Sequence, residues 1–217
     1  DFFQSTDATA PGIKAAAAST GRDDFLAFGE VFEVSDPLAD GGEQKVASYL
    51  GTPAAPELPS VLQFPLYEEI GRVFATGGPT SWLGYRLTKF TDGSYFPDPR
   101  RIPTFIDNHD VRRFLSIGTQ KGLSQALAFL FTIPGIPVVY YGTEQAFGET
   151  RDAMFKGGNT KKGVRDADAF DTTAPLYQVL KDLAALRKAN PALSRGATSV
   201  VVQSETPGAF AYRRSHQ

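Results

Sequence analysis

Apolar residues fall into short uninterrupted runs, and between them the apolar positions recur every three or four residues. Phe25 to Val34 (FLAFGEVFEV) reads as a first strand that meets its first acid at Glu30. A Pro- and Gly-punctuated loop follows from Asp36 to Pro59, and Ser60 to Phe64 reads as a second strand ended by Pro65. Leu66, Ile70, Val73 and Phe74 share one helical face, and a second helix is predicted around Trp82 to Phe90. Pro103 to Ile106 is a third strand running into Asp107-Asn108-His109-Asp110; Gly122 to Phe131 is helical and stops at Pro134-Gly135. Ile136 to Tyr141 is a fourth strand ended by Gly142. A polar, glycine-rich loop spans Gly148 to Asp171, and Leu176, Val179, Leu180, Leu183 and Leu186 then mark an amphipathic helix that ends at Asn190-Pro191. The alanine run Ala15 to Ala18 belongs to an earlier helix closed by Gly21.

Short, wholly apolar strands alternating with helices predict an α/β fold with a parallel sheet covered by helices. Thr198 to Gln203 and Ala209 to Arg213, separated by Thr206-Pro207-Gly208, read instead as an antiparallel hairpin, the expected start of a second, all-β domain.

Composition narrows the chemistry. The 217 residues are 41% apolar and 12% aromatic, enough for a sizeable core. Twenty-two Lys and Arg face 24 Asp and Glu, a net charge of −2, which gives no electrostatic reason to expect nucleic acid and points to an uncharged ligand. No cysteine is present, which removes disulfides, thiolate metal sites and a cysteine nucleophile, and His109 and His216 are too few for a histidine-only metal site. The longest apolar stretch, Ala126 to Tyr141, is interrupted by Thr132, Pro134, Gly135 and Pro137 before it reaches the roughly 20 residues of a membrane span, so no membrane partner is expected.

In parallel α/β folds, functional groups collect where strands end and loops begin. The first strand carries Glu30 there, the third Asn108-His109-Asp110 and the fourth Thr143-Glu144, while the second offers Gln63 alone. A carboxylate at a strand end is more often a helix cap or an ion-pair partner. Two of them, one raised in pKa by burial and one left charged, also suit glycoside hydrolysis.

The order and separation of FGEVF (residues 28–32), FIDNHD (105–110) and GIPVVYYGTEQ (135–145) resemble the α-amylase family, retaining glycosidases on (β/α)8 barrels. The resemblance runs from the first strand to the final hairpin. It implies a partial (β/α)8 TIM barrel, strands five to eight, over residues 1–191, and the beginning of a β-sandwich domain over 192–217. It further implies that Glu30 is the general acid/base, Asp110 the aspartate that grips ring hydroxyls and stabilises the oxocarbenium-like transition state, and His109 a hydrogen-bond donor to the same sugar. The implied partner is an α-glucan oligosaccharide or polysaccharide. Phe32 is placed either to stack on an outgoing glucose or to pack in the core. Tyr140, Tyr141 and Glu144 read mainly as barrel structure, and Lys161-Lys162 as a solvated loop.

The family's nucleophile is an aspartate in a glycine-x-arginine-x-aspartate motif on strand four, about 5 Å from the acid. The one look-alike, Gly163-Val164-Arg165-Asp166-Ala167, has alanine in its place and follows the last strand. The chain opens at Asp1 without a methionine, and the expectation is a chain cut after strand four and again early in the sandwich. The parent would then hydrolyse α-1,4-glucosidic bonds, and these residues alone would be inactive and self-associate through open barrel edges. No cofactor is expected in this half; calcium, usual in the family, would be bound by residues of the other half. Export is common among such enzymes. Readings kept alongside are another α-amylase-family enzyme (α-glucosidase, transglycosylase, sucrose-processing enzyme), a non-catalytic relative, and a self-sufficient half-barrel that binds a sugar or a partner.

Overall fold

The computed structural model describes residues 2–216. Four chain segments lie side by side in one direction. Gly29 donates to the Ser60 carbonyl (2.9 Å) and accepts from Leu62 N–H (3.0 Å), a parallel bridge to Val61. Gln63 N–H donates to the Pro103 carbonyl (3.0 Å), and the third strand pairs in parallel with the fourth, Pro103 to Ile136 through Phe105 to Val138. The spatial order therefore follows the chain order, and the loops carrying Glu30, His109 and Asp110 leave from the same ends of the strands.

The elements, in chain order, are α1 (Ile13–Ser19), α2 (Gly41–Ser48), a small hairpin β1 (Gly51–Thr52) and β2 (Ala55–Pro56), α3 (Phe64–Ile70) continued by a π-turn over Gly71–Ala75, and α4 (Thr80–Thr91). Then come β3 (Pro103–Phe105), α5 (Gln120–Thr132), β4 (Ile136–Val138), a second small hairpin β5 (Asn159–Thr160) and β6 (Gly163–Val164), α6 (Pro175–Ala189), α7 (Pro191–Arg195), and the antiparallel pair β7 (Ala197–Val202) and β8 (Ala211–Ser215). Helices α3 to α5 face inward with the apolar stripes read from the sequence: Leu66, Ile70, Leu83, Leu87, Leu123, Leu127 and Leu130 are buried in one core, to which α6 adds Leu176 and the half-buried Val179, Leu180 and Leu183, while Leu186 is exposed. The final hairpin does not stand apart from it, because Phe210 and Tyr212 pack on Phe129 of α5 at ring separations of 6.1 and 5.7 Å. Among the described residues no helix is long and apolar enough to cross a membrane.

Three expectations are corrected. The first and second strands shrink to the Gly29–Val61 bridge. Phe25, Phe28 and Phe32 are exposed while Val31 and Val34 pack inward, and Pro65, pre-set for a first helical turn, draws Phe64 out of the second strand into α3. The fourth strand ends at Val138, before its two tyrosines. The loop from Asp36 to Pro59 holds α2, a helix that opens on two glycines and has poor intrinsic propensity. Tertiary contacts form it: Val46 enters the core, Glu43 pairs with Arg86 of α4, and a Cβ on Gly42 would lie 2.7 Å from Ser35 Oγ.

Candidate active site

Past β3 the chain turns sharply because the Asn108 side chain accepts from the backbone N–H groups of Asp110 (2.8 Å) and Val111 (3.1 Å), an Asx-type turn. The turn leaves Ile106 and Asp107 buried and His109 and Asp110 exposed. His109 Nε2 lies 3.2 Å from Asp110 Oδ2, and Arg151 Nη2 donates to Asp110 Oδ1 at 2.9 Å. These residues line an open groove of about 520 Å³ with Glu149, Asp152 and Lys161. Lys161 is exposed, as expected of a solvated loop, and from the edge of the groove its Nζ donates to both Glu149 oxygens at 2.9 Å.

Beneath the groove sits Arg113, which is fully buried. Its guanidinium donates to the Tyr141 carbonyl, to Thr143 Oγ1 (3.3 Å) and to the Glu149 carbonyl (3.2 Å), and it lies 3.5 Å from Asp107 Oδ1 and 3.9 Å from the centre of the Tyr140 ring. One side chain thus ties the turn after β3 to the loop after β4. It also explains why β4 ends early, since Tyr141 turns its carbonyl toward this cation instead of into the ladder. Gly142 completes the bend at φ +85°, where a Cβ would collide with the Phe147 ring. Asp107 accepts from Phe114 N–H (3.1 Å); burial pushes its carboxyl above the ordinary range, and the Phe114 bond and Arg113 pull against it. Burial, reinforced by the Tyr141 hydroxyl, pushes Tyr140 up to about 12, and its ring lies 6.4 Å from that of His109.

The structure brings His109 and Asp110 into one groove. Glu30, exposed one residue past the Gly29 bridge, does not line it. Phe32 is exposed with its ring 4.5 Å from Phe64, which makes it a lid on the small Phe64–Phe105 cluster. Arg165 of the look-alike motif donates to the Ala153 carbonyl and covers the Phe147 ring at 4.6 Å, a role internal to its loop. Sequence reasoning missed Arg113 and Arg151. For Arg113 the available signal was the pair Arg112-Arg113 shortly after Asp110, which does not say which of the two is buried; Arg151 had none. Among the described residues no three His, Cys, Asp or Glu gather as metal ligands.

Parallel strands backed by helices, with an imidazole and a carboxylate held in a polar groove at the strand ends, define an α/β protein with a candidate site where such folds place their chemistry. Residues 91–168 match the family model for the α-amylase catalytic domain. The chain is 32% identical to an α-amylase of Streptomyces lividans over 95% of its own length and 24% of that protein's. It is 38% identical to a cyclomaltodextrin glucanotransferase of Bacillus sp. (strain 38-2) over 64% of its length and 18% of that protein's. Among solved structures it superposes on a three-domain cyclomaltodextrin glucanotransferase with a TM-score of 0.71 at 32% identity, covering 93% of this chain and 38% of that one. An Anoxybacillus α-amylase gives a TM-score of 0.69 at 26% identity, covering 94% and 41%. The chain belongs to the α-amylase family. It spans less than half the length of each of these relatives.

Proposed function

We propose that these residues are the part of an α-amylase-type enzyme that carries barrel strands five to eight over 1–191 and the start of the C-terminal sandwich over 192–217, and that the whole protein cleaves α-1,4-glucosidic bonds of starch or maltooligosaccharides with retention. The observation that carries this reading is the Asp110 carboxylate, held out of an Asx-type turn between His109 and Arg151 in a neutral polar groove. The parallel order of the four segments and the exposed phenylalanines along the first of them fit a sheet that continues into further strands.

In this reading Asp110 accepts hydrogen bonds from two ring hydroxyls of the bound sugar and counters the positive charge that develops as the glycosidic bond breaks. His109 donates to the same sugar. Glu30 gives its proton to the departing glycosidic oxygen, and the carboxylate it becomes later removes a proton from the water that releases the glycosyl-enzyme. The nucleophile of the covalent step is an aspartate of the full-length protein outside these residues. Calcium, where the full-length protein binds it, is held there as well.

The test is starch cleavage by the full-length protein with Glu30→Gln and Asp110→Asn. Each should lower kcat by about 10³-fold with folding intact. Undiminished release of reducing ends by Glu30→Gln overturns the assignment. A second reading, transglycosylation, draws support from the 38% identity to a cyclomaltodextrin glucanotransferase; cyclic products in place of new reducing ends would establish it with the same residues.

A further inference from the structure

The loop between β4 and α6 carries two phenylalanines whose placement the mechanism does not use. Phe155 is 67% and Phe170 49% exposed, yet their rings meet edge to face at 5.0 Å and 64°. Large apolar rings in water are ordinarily a liability of loose segments, but here the backbone is fixed on both sides of each ring. Ala169 N–H donates to the Met154 carbonyl (2.7 Å), Lys156 N–H to Asp168 Oδ1 (2.7 Å), and Ala153 N–H to the Asn159 carbonyl (2.9 Å). The same loop is moored to the groove through Arg151 on Asp110, Lys161 on Glu149, and the Glu149 carbonyl on Arg113. Phe155 is four residues past Arg151, which limits its backbone distance from the groove wall to about 14 Å.

We propose that Phe155 and Phe170 form a stacking platform for a glucosyl unit of a linear α-1,4-glucan, several units from the bond that is cleaved. The proposal rests on the α-glucan reading above. A pyranose presents apolar C–H faces, which an aromatic ring attracts through its π-face. Two rings that hold each other in one rotamer lose little entropy on binding. The ligand class follows from charge as well: residues 148–171 carry five acids and five bases, so the loop offers no net field to an ion and suits a neutral polymer. Residues 149–152 and 159–161, on either side of Phe155 in the chain, line the Asp110 groove, so in this proposal the platform is an outer extension of it.

The experiment measures KM and kcat of the full-length protein on maltotriose and maltoheptaose, for wild type and for Phe155→Ala with Phe170→Ala. The expected result is a KM for maltoheptaose raised about fivefold, the factor corresponding to ~1 kcal/mol, with kcat unchanged and maltotriose kinetics unchanged. Equal effects on both substrates, or none on either, overturn the platform. A change of oligomeric state by light scattering with an unchanged ratio of the two KM values assigns the rings to a protein contact and overturns it too. Should the alanine variant fail to melt cooperatively, Phe155→Trp decides: the new indole emission, measured against the Trp82 background, should respond to maltoheptaose and not to maltotriose, and equal or absent responses refute the proposal. Failure of the α-glucan reading is seen separately, as wild-type protein inactive on both sugars.

Discussion

The ion pair between Glu43 and Arg86 joins α2 to α4 in a place with almost no water, each side chain being at most 1% exposed. Arg86 also donates to the carbonyls of Ala39 (2.9 Å) and Asp36 (3.1 Å), and Glu43 accepts from Ser35 Oγ (3.1 Å). Arg86→Met strands a buried carboxylate with one hydroxyl for company and frees two carbonyls. Glu43→Leu strands a buried guanidinium. Breaking a buried pair from one side costs about 3–5 kcal/mol because an uncompensated charge remains. For a chain of this size that is a fall in Tm of roughly 6–20 °C, at about 2–4 °C per kcal/mol. Replacing both partners together removes both charges, so the double variant should cost less than the sum of the singles by about 2 kcal/mol or more. The assay is a double-mutant cycle by urea and thermal unfolding of the chain. If the double variant equals the sum of the singles within about 0.5 kcal/mol, the two charges do not stabilise each other, and α2 must be held by Val46 and the close Gly42–Ser35 approach alone.

Glu69 of α3 is buried, with one carboxylate oxygen unpartnered, and burial holds its pKa above the usual 4.5 against the pull of Arg72. The folded state therefore binds this proton more tightly than the unfolded state, and the stability it contributes is present below pH 4.5 and lost as pH rises through the raised value. Glu69→Gln should thus gain in urea midpoint relative to wild type between pH 4.5 and 7, and a constant or shrinking difference would refute the sign. Arg187 of α6 donates to the carbonyls of Phe131 (2.8 Å), Ile133 (2.8 Å), Gly135 (2.7 Å) and Leu193 (3.0 Å), closing the C-terminal end of α5. Arg187→Met should cost about 2–3 kcal/mol by chemical unfolding, and Arg187→Lys should restore less than half, since a point charge does not replace a planar fork.

Periodicity in the sequence located α3, α4, α5 and α6 because each buries one apolar stripe, and that information is local. It overstated the strands for a physical reason. An apolar run is compatible with a strand, but only paired residues form a ladder, and Phe25 to Val34 meets its neighbour at the Gly29–Val61 bridge alone. Helix α2 was illegible for the opposite reason, since its glycines argue against a helix and the groups that overrule them, Ser35 and Arg86, lie 7 and 43 residues away from Gly42 and Glu43. The turn bearing His109 and Asp110 was legible because its cap, Asn108, is adjacent in sequence. The groove around it was not, since Arg151, which donates to Asp110, is 41 residues distant and sits in a loop with no periodicity of its own. What the motif words carried was therefore the chemistry at one strand end. The loop that converts it into a groove is specified by Arg113, a buried cation that can satisfy itself only if the segments after β3 and β4 both fold around it.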